Sequence, residues 1–310
     1  MLNRLWKGSA PLTVTGLLML VVLGGTLVGL AFDPRVITGA PAWLKPTKFA
    51  GSIAIYTFTL AWVFSLIPEW TRVRRIIGWT TAAALVLEMT LIGMQAFRGT
   101  TSHFNVATLP DAVVFAVMGL AIVIQTLSTI AVAVALWRHR FADPALGWAL
   151  RFGMTLTIVG AMTGGLMTQP TRHQLDAARA GERMTISGAH TVGGPDGGPG
   201  LPGTGWSTEH GDLRVAHFVG LHALQVLPIV ALVLGRRRLD EVARVRLTMT
   251  AAGSYAALFG ILLSQALRGQ SVLAPDSTTV MLLAAWALIT ASAATVSAFR
   301  MQAVHPPVAV

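Results

Sequence analysis

The sequence contains no cysteine and few charged residues, and each shortage narrows what the chain can be. Without cysteine, disulfides, thiolate metal sites and cysteine nucleophiles are all excluded. Charged residues make up 12% of the chain, about half the share that is usual in a water-soluble domain. So little charge leaves too little polar surface to cover a soluble protein of 310 residues. The composition therefore excludes an ordinary soluble globular protein.

Several short catalytic signatures are also missing. The sequence has no Gly-rich phosphate loop followed by Lys and Ser or Thr, no His-Glu-x-x-His metal motif and no Gly-x-Ser-x-Gly elbow. The last apolar block has no lysine, so a retinal Schiff base of the usual rhodopsin placement is not expected. The residues therefore do not decide whether the chain is an enzyme.

Apolar residues, in contrast, are abundant and fall into eight blocks. Each block has roughly the 20 residues needed to cross the hydrocarbon core of a bilayer. The first block is too long for a signal peptide and no small-x-small cleavage site follows it, so we expect an uncleaved first helix. The pattern predicts an all-α polytopic membrane helix bundle with about eight transmembrane helices. The blocks are 11–32, 49–68, 76–97, 112–137, 148–167, 215–234, 247–267 and 278–299.

The formal charge of +10 sits in short segments between apolar blocks, which favours membrane topology over nucleic-acid binding. The segments that share a side with both termini hold fourteen basic residues and only four acidic ones. By the positive-inside rule, both termini are predicted to be cytoplasmic in a cell (inner) membrane, with the lipid bilayer as partner. The basic residues are Arg4, Lys7, Arg72, Arg74, Arg75, Arg138, Arg140, Arg151, Arg236, Arg237, Arg238, Arg244, Arg246 and Arg300.

One predicted outer loop, 169–214, is long and rich in glycine and proline. Such a composition excludes regular helix and central strand. Two interpretations remain: a disordered linker, or an ordered lid anchored by Leu201 and Trp206.

A repeated segment suggests a duplication. The third span ends Gln95-Ala-Phe-Arg98-Gly99, the seventh ends Gln265-Ala-Leu-Arg268-Gly269, and an Asp follows each before the next span. Gln and Arg are costly in or beside a membrane, which argues against chance similarity between apolar helices. We therefore predict a tandem four-plus-four parallel repeat, with units at 1–140 and 147–305.

Polar residues in or beside the spans are the candidate ligand-binding residues, because burying them is costly. Glu88 lies too deep in its span to reach water, so it must be protonated, paired or beside a cavity. Arg98 has a simpler alternative, since a long side chain at a span end can extend to water. The predicted ligand-binding residues are Glu88, Gln95, Arg98, Asp111, Gln225, Gln265 and Arg268.

Most histidines lie in the predicted outer half, and His103, His217 and His222 are the candidate metal ligands. His217 and His222 are five residues apart, which turns them about 140° from each other on a helix. A partner would therefore have to come from elsewhere, such as His103 or His190. Haem or a metal ion is a candidate cofactor; the alternative for each histidine is a hydrogen-bonded interfacial residue.

Three stretches resemble those of a group of uncharacterised multi-pass bacterial membrane proteins. They are Lys45-Pro-Thr-Lys-Phe, the segment from Gln95 to Asn105 and the segment from Gly211 to Gln225. The resemblance implies a membrane location and no particular activity.

The leading functional hypothesis is an outward-facing polar cavity that binds or translocates a small polar or anionic ligand or ion. A membrane oxidoreductase that holds haem or a metal through the outer histidines is one alternative. A non-catalytic membrane assembly or scaffold protein is the other.

Overall fold

The computed structural model describes the backbone of residues 1–302 and the side chains of residues 1–297. The end of the second predicted repeat, 303–305, lies outside the described residues. Ten helices occur in the described part: α1 (Leu2–Gly8), α2 (Ala10–Phe32), α3 (Leu44–Ser65), α4 (Thr71–Phe97), α5 (Leu109–Arg138), α6 (Pro144–Met167), α7 (Arg172–Arg179), α8 (Leu213–Gly235), α9 (Glu241–Leu267) and α10 (Ser277–Gln302).

The prediction of an all-α membrane helix bundle is confirmed. Seven helices are long and apolar enough to cross a membrane. They are α2, α4, α5, α6, α8, α9 and α10, each of which overlaps a predicted span. The remaining predicted span overlaps α3, a helix of 22 residues that has two lysines in its first turns and packs on α1, α2 and α4. Because α3 is not among the seven, the eighth crossing stays a prediction.

Local capping residues explain where the helices begin. Pro144 occupies the first position of α6, and the side chain of Asp143 accepts hydrogen bonds from the backbone N–H of Ala145 and Leu146. A carboxylate at this position satisfies N–H groups that the helix leaves unpaired, and proline there loses no helical hydrogen bond. Asp240 caps α9 in the same way. These polar caps lie just outside the apolar blocks, which is why the helices extend beyond the predicted spans.

The long helices alternate in direction and leave two ends of the bundle. We call the end with residue 1 and the connections 66–70, 139–143 and 236–240 the terminal face. The loop face carries the other connections, 33–43, 98–108, 168–212 and 268–276. Two short antiparallel hairpins belong to the loop face: β1 (Val36–Ile37) with β2 (Ala40–Pro41), and β3 (Thr191–Val192) with β4 (Gly211–Asp212).

Helix packing follows the same order in both halves. In the first half α2 packs on α3 and α4, α3 on α4, and α4 on α5; in the second half α6 packs on α8 and α9, α8 on α9, and α9 on α10. A core of fully buried side chains joins α3, α5, α6 and α8. Its large members include Leu60, Phe64, Leu136, Leu150 and Leu224.

Candidate functional site

Glu88 of α4 is the most unusual polar residue of the bundle. It lies nine residues before the last residue of its helix, or about 13 Å from the loop-face end at 1.5 Å per residue. Its side chain is 1% exposed, and neither carboxylate oxygen accepts a hydrogen bond from any described residue. The nearest ionisable group is His103, whose Nε2 atom lies 3.4 Å from Glu88 Oε1. The buried Glu88 and the partly buried His103 therefore form an acid–base pair.

The connection 98–108 brings His103 to Glu88 by folding back into the bundle. Ser102, Phe104 and Asn105 of this segment are all buried. Asn105 stabilises the fold of the segment, because its Nδ2 atom donates to Thr100 Oγ1 and its Oδ1 atom accepts from the backbone N–H of Ala107. Phe104 has a φ of 65°, a left-handed conformation that is strained for a bulky residue and costs about 1–3 kcal/mol.

His103 lies in an aromatic pocket beside a lysine. Its ring centroid is 5.9 Å from that of Phe49 and 6.2 Å from that of Phe104, and its Nδ1 atom is 3.0 Å from Ser102 Oγ. Lys45 Nζ is 5.9 Å from the centre of the Phe49 ring. Burial lowers the pKa of His103 well below its ordinary value, and the positive charge of Lys45 lowers it further. His103 is therefore a neutral imidazole at neutral pH.

The long connection adds a second histidine to the same pocket. The ring of His190 packs edge-on against Phe104 at 4.8 Å, and its Nδ1 atom is 2.8 Å from Asp196 Oδ2. Asp196 also accepts hydrogen bonds from the backbone N–H of His190 and Thr191. Burial lowers the pKa of His190, although Asp196 opposes that shift. Burial alone would raise the pKa of Asp196, but its bonds with His190 outweigh burial and lower it.

The long connection is held to the bundle by backbone and side-chain contacts, as expected for an ordered lid. Val106 donates its N–H to Thr185 O at 2.9 Å, and Lys48 Nζ donates to Thr204 O at 2.7 Å. The Trp206 ring packs on Phe218 of α8 with 5.7 Å between centroids. Glycine is required at one close approach: a Cβ atom at Gly188, where φ is 109°, would lie 2.3 Å from Met167 O. The lid reaches the surroundings of the Glu88–His103 pair through the ring of His190, which packs on Phe104.

Three of the predicted ligand-binding residues meet in a network above α4. Gln95 donates through Nε2 to Asp111 Oδ1 at 3.0 Å, and Arg98 Nη1 donates to both Gln95 Oε1 and Asp111 Oδ1. Thr108 Oγ1 donates to the other carboxylate oxygen of Asp111 at 2.6 Å. Gly99 (φ 75°) ends the helix, with Schellman-type bonds from Gly99 N to Ala96 O and from Thr100 N to Gln95 O. The polar groups of this network therefore form their hydrogen bonds with one another.

The matching segment after α9 forms a related network. Gln265 donates to Ser271 O, just as Gln95 donates to Thr101 O six residues ahead. Arg268 pairs with Asp276 at 3.2 Å, and Gly269 again has a φ of 75°. The arginines of the two networks lie at the loop face, with 42% of the Arg98 side chain and 32% of the Arg268 side chain exposed. The predicted residues Gln265 and Arg268 thus occupy the same local positions as Gln95 and Arg98.

The predicted metal ligands lie in separate surroundings. His217 Nδ1 is 2.8 Å from Gly160 O of α6, whereas the ring of His222 packs on Phe218. His103 instead faces Glu88. Within the described residues, no group of three or more His, Asp or Glu side chains is arranged to hold a metal ion. Gln225, the last predicted ligand-binding residue, donates to Thr59 Oγ1 of α3 at 3.3 Å, away from the other six.

Sequence reasoning missed Lys45 and Asp196 as members of the Glu88 pocket and named His190 only as one option for a metal ligand. Two weak signals were present in the sequence. Lys45 lies at the edge of an apolar block, and Asp196 is the one acid in the Gly/Pro-rich run 191–205.

The structure brings several of the predicted residues together around Glu88, but it does not by itself show an open cavity there. Two surface pockets of the described part lie at the terminal face, around Lys7 and Arg74. An outward-open cavity at the loop face therefore stays a prediction. The chain itself matches no family model, no curated protein and no solved structure.

Proposed function

We propose that this membrane protein binds a small polar or anionic ligand, or an ion, beneath its loop face, and that binding is linked to a proton held by Glu88 and His103. The observation that carries the proposal is the Glu88 carboxylate, which is 1% exposed and has no hydrogen bond from the described residues. An unpaired carboxylate in a low-dielectric interior lowers the stability of the protein, and a purely structural role would supply nothing that offsets this loss.

A proton shared by Glu88 and His103 removes most of the free-energy cost of burying the carboxylate. At 3.4 Å, the distance from His103 Nε2 to Glu88 Oε1 is slightly long for a hydrogen bond and would shorten with a small movement. With one proton on the pair, Glu88 is either a neutral acid facing a neutral imidazole or a carboxylate facing an imidazolium. A change of ligand occupancy nearby would shift the balance between these states.

A lysine beside the pair favours a ligand that is polar or negative, because an anion stabilises the charged form of the lysine. Lys45 Nζ lies over Phe49, and it forms no ion pair with any described carboxylate. A bound anion would compensate that charge and make a proton on the Glu88–His103 pair more favourable. The expected result is proton uptake when an anion binds.

Replacing Glu88 with Gln is expected to remove the proton while preserving the fold, since a neutral amide of nearly the same shape is cheaper to bury. Infrared difference spectra recorded during a pH titration should contain a buried carboxylic-acid band in the wild type and lack it in Glu88→Gln. The changes in melting temperature caused by sodium chloride, nitrate, acetate and phosphate should depend on pH in the wild type and not in the variant.

Glu69→Gln is the matched control, because Glu69 is a terminal-face acid that is 56% exposed and pairs with His139. It should retain both the band and the pH-dependent shifts. The proposal is wrong if anions change the melting temperature of Glu88→Gln with the same pH dependence as in the wild type. It is also wrong if no anion changes the melting temperature of the wild type at any pH of the titration.

We further propose that the chain is a four-plus-four parallel duplication with both termini in the cytoplasm of the cell (inner) membrane. The two Schellman-type helix ends at Gly99 and Gly269, each with a Gln and an Arg–Asp pair, support the duplication. The excess of basic residues at the terminal face supports the orientation.

Reporter fusions test that orientation. Alkaline phosphatase, which is active only after export, is expected to be active when inserted at Gly197 of the lid and inactive when inserted after Arg238. A green fluorescent protein fused at the same two places should give the opposite result. Export of the reporter after Arg238 would overturn the cytoplasmic assignment of the terminal face.

A further inference from the structure

The terminal face has two neighbouring pockets that the proposed function does not use. Both lie where α1 meets the start of α4, and they share Lys7 and Arg74 as lining residues. Arg4 also lines the first pocket, and Arg75 and Trp79 line the second. We treat the two together as the α1 pocket.

The walls of the α1 pocket are firmly packed. A Cβ atom at Gly8 would lie 2.0 Å from Ala61 O of α3, so α1 rests directly on the backbone of that helix. Arg74 donates hydrogen bonds to the carbonyl oxygens of Lys7 and Gly8, and Arg4 Nε donates to Ser65 Oγ at 3.0 Å. The short N-terminal helix is thereby a fixed wall and not a loose tail.

The charge of the α1 pocket is uncompensated. Arg4, Lys7, Arg74 and Arg75 are all basic, and no acidic side chain lines either part of the pocket. None of these four residues takes part in an ion pair within the described side chains. Four cations without a counter-charge, gathered in a concave site, attract an anion.

A buried hydroxyl lies in the wall between the pocket and α4. Ser9 lines the second part of the pocket and is 7% exposed, yet its Oγ atom has no hydrogen-bond partner among the described residues. A Cβ atom at Gly78 of α4 would lie 2.6 Å from this Oγ atom, so the hydroxyl packs against the backbone of α4. Ser9 therefore belongs to the packed wall of the pocket, and the case for a ligand rests on the charge and on the apolar rim.

The rim of the pocket is apolar and aromatic. Trp6 and Trp79 line the pocket and are 51% and 65% exposed. Ile76, three residues before Trp79 on α4, lies outside the lining and is 59% exposed. Tryptophan is enriched at membrane–water interfaces, and basic pockets between helices on the cytoplasmic side bind lipid headgroups. A free anion would use the cations alone, whereas a lipid would also cover these apolar side chains with its acyl chains.

We propose that the α1 pocket binds the phosphate headgroup of an anionic phospholipid, held by Lys7 and Arg75, with its acyl chains against Trp79 and Ile76. The site is separate from the Glu88–His103 pair and stands whether or not that pair has the function proposed above.

The test uses the full chain, purified in an uncharged detergent, with melting followed during titration by short-chain phosphatidylglycerol, short-chain phosphatidylcholine or inorganic phosphate. Phosphatidylglycerol should raise the melting temperature, and the effect should weaken as salt is added. Phosphatidylcholine and inorganic phosphate should raise it little. This comparison needs no variant, so it does not depend on whether a substitution disturbs folding.

The double variant Lys7→Gln, Arg75→Gln should weaken binding of phosphatidylglycerol by roughly 25-fold at low salt, since each basic residue near an anionic lipid contributes about fivefold. Arg236→Gln, Arg237→Gln is the matched control, because both arginines are exposed on the same face outside the pocket. It should weaken binding about twofold at most. Equal stabilisation by phosphatidylcholine or by inorganic phosphate would overturn the proposal, as would an equal loss in the control variant.

Discussion

Replacing Gly160 by alanine is expected to lower the free energy of unfolding by about 3 kcal/mol, the upper part of the range for overpacking. A Cβ atom at Gly160 of α6 would lie 2.6 Å from the backbone of Gly220 in α8. Likewise, a Cβ atom at Gly220 would lie 2.4 Å from Gly160 Cα. Backbone cannot rotate aside as a side chain can, so the two helices must separate. Denaturation in mixed micelles, followed by tryptophan fluorescence, measures the loss.

Gly165→Ala is the matched control for this substitution. Gly165 belongs to the same helix, and a Cβ atom there meets nothing within 4 Å. Alanine has the higher helix propensity, so this variant should be neutral or more stable by up to about 1 kcal/mol. Equal losses at Gly160 and Gly165 would show that α6 and α8 do not depend on this close approach.

The contact between Gly160 and Gly220 was not predictable from the pattern of glycines in the sequence. Two adjacent pairs, Gly24-Gly25 and Gly164-Gly165, stand out in the sequence, yet Gly24, Gly25 and Gly165 all face open space. The tight approach is made by single glycines, Gly160 and Gly220. Close helix contacts use small residues on the face toward the partner. A sequence shows spacing along a helix, but it does not show which side meets another helix.

The spans were predictable because hydrocarbon thickness demands long apolar blocks. Their ends were not, since polar residues continue the helices beyond the apolar region; α4 begins at Thr71, five residues before its predicted span. The helix α1, seven residues long, was missed because so short a segment carries no readable periodicity.

The candidate site was predictable only in part. The depth of Glu88 within an apolar block was enough to expect a buried acid that needs a partner. The partner, His103, was named as a metal ligand and not as the acid's neighbour, and Lys45 and Asp196 were not expected in the pocket. His103 and Asp196 belong to connections that fold back over the bundle, and Lys45 belongs to the first turn of α3. Contacts between such distant segments leave no periodic signal.

The Gly/Pro-rich connection left two interpretations open, and composition alone could not choose between them. Glycine and proline exclude regular secondary structure, but they are equally compatible with disorder and with a packed irregular lid. The packed form depends on particular contacts, such as the bonds from His190 and Thr191 to Asp196 and the approach of Gly188 to Met167.

Replacing Asp111 by alanine is the second substitution for which we expect a large effect, a loss of about 3 kcal/mol in the free energy of unfolding. The Asp111 side chain is 7% exposed. It accepts hydrogen bonds from Gln95, which is fully buried, and from Arg98 and Thr108. Without the carboxylate, the amide of Gln95 loses its strongest acceptor, and Arg98 keeps only Gln95 as partner. Removing one member of such a network leaves the others unpaired, which costs more than the net value of the bonds.

Asp276→Ala provides an internal comparison, because Asp276 pairs with Arg268 in the corresponding place after α9. Its side chain is 39% exposed, so water can replace the lost carboxylate and the loss should be clearly smaller. Asp111→Asn should recover part of the stability in the first network, since its amide oxygen can still accept a bond from Gln95. Both losses are measured by the same denaturation in mixed micelles. If Asp111→Ala is no more damaging than Asp276→Ala, burial does not set the strength of these networks, and the α4–α5 connection must be held by other contacts.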